Sequence, residues 1–402
     1  MRFNERIFKI KGVVQHYAWG GYSFIPALLG EQNAAHQPCA EYWMGAHPSA
    51  PSVIQVGGEP LRLDQLFQSD LAGNLSQSVA DRFGELPYLF KVLDVNDMLS
   101  IQVHPTKEEA EKGYDRENAA GIPLNAPHRN YKDRNHKPEV MVALSEFWLL
   151  HGFKSKAALE ETLETTAELR LLQTLFKKEG TRALYQFVME MDQVDVNILL
   201  APLVKREIRR KQEGLLAKDQ PGWWVAKLYE GKDLNTDLDR GIFSIYFFNI
   251  VRVNPGEAVF QKAGVPHAYL EGQNIELMAN SDNVLRGGLT PKHIDVSELM
   301  KHTSFEEVVP EVMKGLDAGQ GEKIYPCPVP DFGISKISLS AGAAYEATAQ
   351  TPETIIVTEG GALVNNSLVL KRGEAMMVLP GTPYQIAASG NCTLFKAFVP
   401  VS

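Results

Sequence analysis

Two segments far apart in the chain follow one plan. Gly256-Glu-Ala-Val-Phe-Gln-Lys-Ala-Gly-Val-Pro-His267 aligns with Gly373-Glu-Ala-Met-Met-Val-Leu-Pro-Gly-Thr-Pro-Tyr384. The Gly-Glu-Ala triplet, the later Gly and the Pro keep one offset of 117 residues (256 to 373, 264 to 381, 266 to 383). Each copy reads as turn, short strand, glycine turn, next strand. Two unrelated turns built from common turn residues would look similar, and the pattern alone leaves that open. If the repeat is real, its ends matter. The first copy finishes in His267 and the second in Tyr384, so a metal-ligand position is kept once and lost once. One half is then expected to be chemical and the other structural.

The texture around the repeat supports a mainly β chain. Pro and Gly break the first 150 residues into short stretches with β-branched and aromatic residues. From about Ser155 to Arg240 the apolar residues recur at three- and four-residue spacing, as in Lys156-Ala-Ala-Leu-Glu-Glu-Thr-Leu-Glu and Leu199–Leu216, which is helical periodicity. Strand texture returns after Gly241. A helical block between β-rich regions reads as an insertion or packed side domain. The glycine–proline pattern resembles that of cupin barrels, which are double-sheet jelly rolls. The expected fold is therefore mainly β with an α-helical domain: two cupin-like jelly-roll barrels (a bicupin) plus a helical side domain. Residues 1–153 and 241–300 would form the catalytic barrel, 154–240 the helical domain, and 301–402 the second, metal-free barrel. A length of 402 residues accommodates roughly two to four domains.

Charge and cysteine usage narrow the function. Lys+Arg total 40 against 49 Asp+Glu, a net charge of −9 that lacks the footprint of a nucleic-acid binder. A hydrophobic content of 44% excludes disorder. Cys39, Cys327 and Cys392 are an odd set without CxxC spacing, so free thiols in a reducing compartment are expected. The first residues offer no continuous apolar region for a signal peptide. The apolar stretch Ile242–Val251 is about half a membrane span. A cytoplasmic protein that meets neither membrane nor nucleic acid is expected, and as a monomer.

Chemistry concentrates in three stretches. Ser100-Ile-Gln-Val-His104 alternates in period two, so Ser100, Gln102 and His104 would share one strand face. Tyr131-Lys-Asp-Arg-Asn-His-Lys-Pro-Glu139 is a polar loop feeding an apolar strand, with Glu139 at the junction. His267-Ala-Tyr269 again places two polar side chains on one face. Two imidazoles and a carboxylate suit Zn²⁺ or another divalent first-row metal, with Gln102 a weaker oxygen donor. Arg286 and Lys292 follow in an irregular loop, while Lys91 and Lys137 lie on stretches bearing ligands. Arg offers a fork for phosphate or an oxyanion and Lys a point charge. Together they point to a small anionic substrate.

These segments resemble the type I mannose-6-phosphate isomerases. Tyr131-x-Asp-x-Asn-His-Lys-Pro-Glu139 is similar to that family's first signature. The 26 positions from His267-Ala-Tyr-Leu to Ser281-Asp-Asn-Val-Leu-Arg286-Gly-Gly-Leu-Thr-Pro-Lys292 are similar to its second. Tyr17-Ala-Trp-Gly20, Glu41-Tyr-Trp-Met-Gly-Ala-His-Pro48 and Leu86-Pro-Tyr-Leu-Phe-Lys-Val-Leu93 also match family segments. Gly287 stands where Ala is expected, a small-for-small change. The resemblance implies one zinc per chain on Gln102, His104, Glu139 and His267, and a catalytic arginine at Arg286. It implies interconversion of mannose 6-phosphate and fructose 6-phosphate, so the expected partner is a small phosphorylated sugar.

Such an isomerisation moves a proton between C1 and C2 through an enediol. A metal held by one carboxylate and three neutral ligands keeps a net charge near +1 and remains a Lewis acid. Arg286 would stabilise the developing enediolate. Lys137, Tyr269, Asp282 and Glu276 are the candidate proton carriers. Ser100, Lys91, Lys292 and Trp19 are candidate contacts for phosphate or sugar. The rival readings are a non-catalytic sugar-phosphate-binding bicupin and a cupin metal dioxygenase.

Overall fold

A computed structural model describes residues 5–234 and 236–401. One strand organises the half that carries the chemistry. His267–Ala279 runs for 13 residues and is buried along most of its length. Its first half pairs with Gln102–Val103 and Phe147–Phe153, and its second half with Tyr88–Val95 and Glu139–Ala143. The change of partners falls at Gly272, whose φ of +126° disfavours any side chain. A Cβ there would also strike the Glu146 carbonyl. Leu285–Arg286 adds beside Gln102–Val103, Ala258–Gln261 beside Glu139–Ala143, and Glu41–Gly45 beside Tyr88–Val95. Every stretch read as ligand-bearing thus enters one ten-stranded sheet. Tyr88–Val95 and Glu139–Ala143 are buried at every position, as their near-continuous apolar runs require.

A nine-stranded sheet draws on both ends of the chain. Ile7–Lys11 lies between Val53–Val56 and Ala375–Val378, and Glu353–Glu359, Cys392–Phe398 and Gly333–Leu339 continue beyond. A four-stranded sheet of Ala344–Thr348, Pro383–Ala388, Gly361–Val364 and Leu368–Lys371 shares a core with it around Ile355, Val357, Val364 and Ile386.

The two copies of the repeat have one backbone. Gly256 and Gly373 sit at φ of +83° and +81°, and Gly264 and Gly381 at +80° and +77°. These turns bracket Ala258–Gln261 in one copy and Ala375–Val378 in the other. A positive φ at the same place in each turn explains why glycine recurs there.

Between the copies the chain is helical: Lys156–Thr165, Gln173–Glu190, Gln193–Gln212 and Pro221–Tyr229, with a short 3-10 segment at Ala167–Leu172. Ser155 caps the first helix, its Oγ accepting the Ala158 N–H at 3.2 Å. The apolar stripes of these helices, including Leu163, Leu184, Leu200 and Trp224, share a core with Ile101 and Val103. The helical segment therefore backs the strand that carries Gln102.

Some expectations of local structure were wrong. Gly241–Phe247 is a helix, and strand begins only at Phe248. All seven of its residues are buried, so it has no polar face from which a period could be read. The first 150 residues also contain helices, notably Leu63–Ser69, Gln77–Phe83 and Lys107–Ala119. In the last, only Ala110, Gly113 and Glu117 are buried, which leaves no apolar stripe. No helix of the described residues is long and apolar enough to cross a membrane.

Candidate active site

Glu139 and His267 lie on strands, and His104 immediately follows the two-residue strand Gln102–Val103, which is shorter than the alternation from Ser100 to His104 suggested. The three converge. All are buried, and one ligand-type atom of each lies within 4.8 Å of the others. Nε2 of His267 is 3.2 Å from one Glu139 oxygen, and Nε2 of His104 is 3.5 Å from the other. Each imidazole donates its Nδ1–H to a backbone carbonyl, His104 to Asn283 at 2.9 Å and His267 to Val265 at 3.0 Å. A carbonyl can only accept, so both Nε2 lone pairs are left for the centre. Burial pushes the His104 imidazole down to about 4, which keeps it neutral at physiological pH. At Glu139 burial acts the other way, but Lys137 and His104 outweigh it and hold the carboxyl well below its usual range.

Gln102 is placed beside the triangle by its strand register. Its backbone pairs with His267 on one side and Arg286 on the other. Its Oε1 is buried without a hydrogen-bond partner, and so is Nε2 of His104. Two orphaned acceptors beside a buried carboxylate are costly unless a cation meets them. Two imidazole nitrogens and a carboxylate within 4.8 Å, with an unpaired amide oxygen on the residue that pairs in register with His267, fit zinc.

The loop before Glu139 is held by its neighbours. The Tyr131 ring lies where a Cβ on Gly113 would be. Its hydroxyl donates to Glu298 at 2.5 Å and lies 2.7 Å from His302 Nε2. Hydrogen bonds from His302, and then from Tyr131 and Arg116 against the effect of burial, hold the Glu298 carboxyl far below its usual range. Asn283 bridges the two signatures. Its amide donates to the carbonyls of Asp133 and Asn135 at 2.9 and 2.8 Å, and its side-chain oxygen accepts the Lys132 N–H at 2.6 Å. Because its own carbonyl orients His104, order in the loop reaches the ligand.

Beside the triangle lies a buried ionic group. Lys91 Nζ is 2.9 Å from Glu276 and 3.4 Å from Glu41, over the ring of Trp43. Burial would lower the Lys91 pKa, but Glu276 and Glu41 outweigh it and keep the amine protonated. Burial, aided by Glu139 and Glu41 and opposed by Lys91, raises Glu276. The Tyr269 hydroxyl is buried without a hydrogen-bond partner. Burial first, then Glu276 and Glu139, push its pKa well above 10. Lys137 Nζ is 2.9 Å from Glu139, at the triangle itself.

The remaining predicted residues lie further out. Arg286 is partly buried and Lys292 exposed. Among the described residues neither side chain has a carboxylate partner. Burial lowers both pKa values, and Arg286 adds to the lowering at Lys292. Ser100 is partly buried next to Ile101. Asp282 is exposed at the rim, 3.6 Å from His47. Trp19 stacks on Tyr17 and lines a cleft of about 810 Å³ with Met98, Arg240, Leu289 and Thr290, a cleft that none of the metal-ligand set lines. The structure thus gathers Lys91, Lys137, Tyr269 and Glu276 around the triangle, and leaves Asp282 and Trp19 outside it.

Glu41, Asp133 and Asn283 were missed as parts of the site. Glu41 had a legible signal. It alternates with Trp43 on an otherwise apolar strand, and a carboxylate on a buried strand needs a partner. Asp133, whose carboxylate accepts the N–H groups of Asn135 at 2.8 Å and Asp282 at 2.7 Å, and Asn283 act through backbone groups, which no spacing reveals.

Residues 7–156 match the family model for the catalytic domain of type I phosphomannose isomerase. The chain is 38% identical over 386 residues to the mannose-6-phosphate isomerase of Escherichia coli (strain K12), covering 92% of this chain and 94% of that one. It is 33% identical over 426 residues to the mannose-6-phosphate isomerase of Schizosaccharomyces pombe, covering 98% of each. Among solved structures it resembles mannose 6-phosphate isomerase from Salmonella typhimurium bound to substrate and zinc, with a TM-score of 0.86 and 34% identity over 99% of this chain and 100% of that one.

Proposed function

This chain belongs to the type I phosphomannose isomerase family, and from that membership and the site geometry we infer that it interconverts D-mannose 6-phosphate and D-fructose 6-phosphate as a zinc-dependent aldose–ketose isomerase. The observation that carries the reading is the buried His104–Glu139–His267 triangle with Gln102 Oε1 orphaned beside it. Zinc held there supplies a Lewis acid for the sugar's hydroxyl and carbonyl oxygens.

The chain's own groups divide the rest. Glu276 is the proton carrier in this reading, since its carboxyl is buried with a raised pKa and sits on the same strand as His267. Lys91 stays protonated and balances the surrounding carboxylates. Lys137 holds Glu139 ionised. Arg286, partly buried and without a carboxylate partner, meets the developing enediolate. Lys292 and Ser100 flank it and are assigned to the phosphate or sugar.

The wider reading is a monomeric cytoplasmic bicupin with one zinc per chain. In this reading residues 1–153 and 241–300 carry the catalytic barrel, 154–240 the helical domain and 301–402 the metal-free barrel. Ile7–Lys11, Val53–Val56 and Glu59–Arg62 cross over to pair into the sheet of the second half. The matched turns at Gly256 and Gly373 support two related halves. In the second half Tyr384 stands in the place of His267, and its hydroxyl donates to Glu353 at 2.5 Å, a closed pairing without a ligand role. Ile7–Lys11 hydrogen-bonds to Ala375–Val378, which stitches the two halves together.

The test is conversion of mannose 6-phosphate with coupled detection of fructose 6-phosphate, before and after chelation. Activity is expected to vanish with zinc and to return when zinc is restored. Full activity after complete metal removal would overturn the zinc role.

A further inference from the structure

Arg286 is the last residue of the short strand Leu285–Arg286, not part of an irregular loop as the sequence suggested. The loop that follows it has an anchor outside the metal-bearing strands. Asp239, in the connection between the helices Pro221–Tyr229 and Gly241–Phe247, accepts three backbone N–H groups. Oδ1 takes those of Gly241 at 2.7 Å and Leu289 at 2.8 Å, and Oδ2 takes that of Thr290 at 2.9 Å. Both carboxylate oxygens are thus used on main chain, and two of the three donors belong to the loop just after Arg286.

The conformation so held is an unusual one. Leu289 has φ of +55° and Gly288 +121°, values that side chains rarely adopt. A Cβ on Gly288 would lie 2.5 Å from Gly241 Cα, and one on Gly241 would lie 2.6 Å from Leu289 N. The loop and the start of the Gly241–Phe247 helix therefore touch backbone to backbone. On the opposite side the Gly287 N–H donates to the Ile101 carbonyl at 2.9 Å, and the Ile101 N–H to the Gly288 carbonyl at 3.0 Å. Arg286 itself pairs in register with Gln102. The loop is clamped between the ligand strand and Asp239.

We propose that Asp239 is a positioning residue of the isomerase: through Leu289 and Thr290 it fixes the backbone that aims Arg286 at the substrate. The proposal rests on the reading of Arg286 as the group that meets the enediolate. It also gives the helical segment a part in the reaction. An unpaired guanidinium at a strand end followed by a loose loop would swing toward the nearest carboxylate, whereas a strand end and loop pinned on both sides keep it directed. A misplacement of about 1 Å at such a group costs about 10²-fold in rate.

The experiment is a double-mutant cycle on the zinc-loaded full chain. Asp239→Asn turns one acceptor oxygen into a donor facing a backbone N–H. It is expected to lower kcat/KM for mannose 6-phosphate by about 10- to 100-fold with zinc per chain unchanged. Arg286→Ala is expected to lose at least as much, and adding Asp239→Asn to it to cost less than about threefold more. Wild-type kcat/KM in Asp239→Asn beside an impaired Arg286→Ala overturns this proposal alone, and so does an equal loss in both backgrounds. A silent Arg286→Ala overturns both readings. If Asp239→Asn does not fold, Asp239→Glu keeps the charge while displacing it, and the same cycle decides. A loss confined to the Arg286 background supports the proposal, and no loss or an equal loss in both overturns it.

Discussion

Lys91 and Glu276 face each other across an antiparallel register and meet at 2.9 Å, yet both bind protons more tightly than their free counterparts. An isolated ion pair would lower the carboxyl. Here burial, with Glu139 and Glu41, outweighs the lysine at Glu276, while Glu276 and Glu41 outweigh burial at Lys91. A buried carboxyl of raised pKa beside a fixed ammonium is suited to taking up a proton and returning it.

Replacing Glu276 by Gln keeps its shape and removes that capacity. Turnover is expected to fall about 10²- to 10⁴-fold. Metal analysis is expected to find the same zinc per chain, because Glu276 is not a ligand. A variant that retained a tenth of wild-type turnover would return the role to Lys137 or Asp282.

Gln102 is neutral, and the net charge of the centre depends on that. Gln102→Glu is expected to bind zinc at least as tightly and to turn over at least about tenfold more slowly, since a second carboxylate cancels the charge that polarises the sugar. Zinc titration and steady-state kinetics on one preparation check both halves. Tighter binding with unchanged turnover would sink the charge argument.

Arg286→Ala separates electrostatics from metal binding. The expected loss in kcat/KM is about 10²- to 10³-fold with occupancy constant. Should occupancy collapse instead, the arginine is structural.

The Tyr131–Glu298–His302 contact predicts a pH-dependent stability. The folded-state pKa of Glu298 is depressed, so its contribution is fully present above the unfolded value near 4.3 and is lost as pH falls through the folded value. Glu298→Gln is expected to cost about 1–3 kcal/mol at pH 7. The gap from wild type is expected to narrow below about pH 4. Urea melts at pH 7 and pH 3.5 make the comparison. A gap that does not change with pH would mean that lost packing, not charge, sets the cost.

The buried triangle of His104, Glu139 and His267 was legible as a candidate metal group because that chemistry is rare on strands, whereas Gln102 as a ligand rested on the family resemblance. A glutamine two residues before a histidine, and a Lys-Pro-Glu run opening an apolar strand, stand out against ordinary β sequence. The paired glycines were legible too, since positive φ restricts the choice of residue. The Gly241–Phe247 helix was not, because burial on all sides erases the period that marks a helix. Lys107–Ala119 failed for a different reason: the residues it buries, Ala110, Gly113 and Glu117, make no apolar stripe. The role assigned to Asn283 rests largely on contacts to main chain, and main-chain groups carry no letter in a sequence.

The partnership of Ile7 with Val378 has a consequence for how the molecule is made. The strand Ile7–Lys11 is synthesised some 370 residues before its neighbour on one side. At about 5–20 residues per second the first strand waits roughly 20–70 s for that neighbour to exist. Until then its edge is open to other nascent chains. Docking of the two halves therefore cannot begin until Ala375–Val378 has been made, and crowded translation lengthens the exposure of that open edge to other chains.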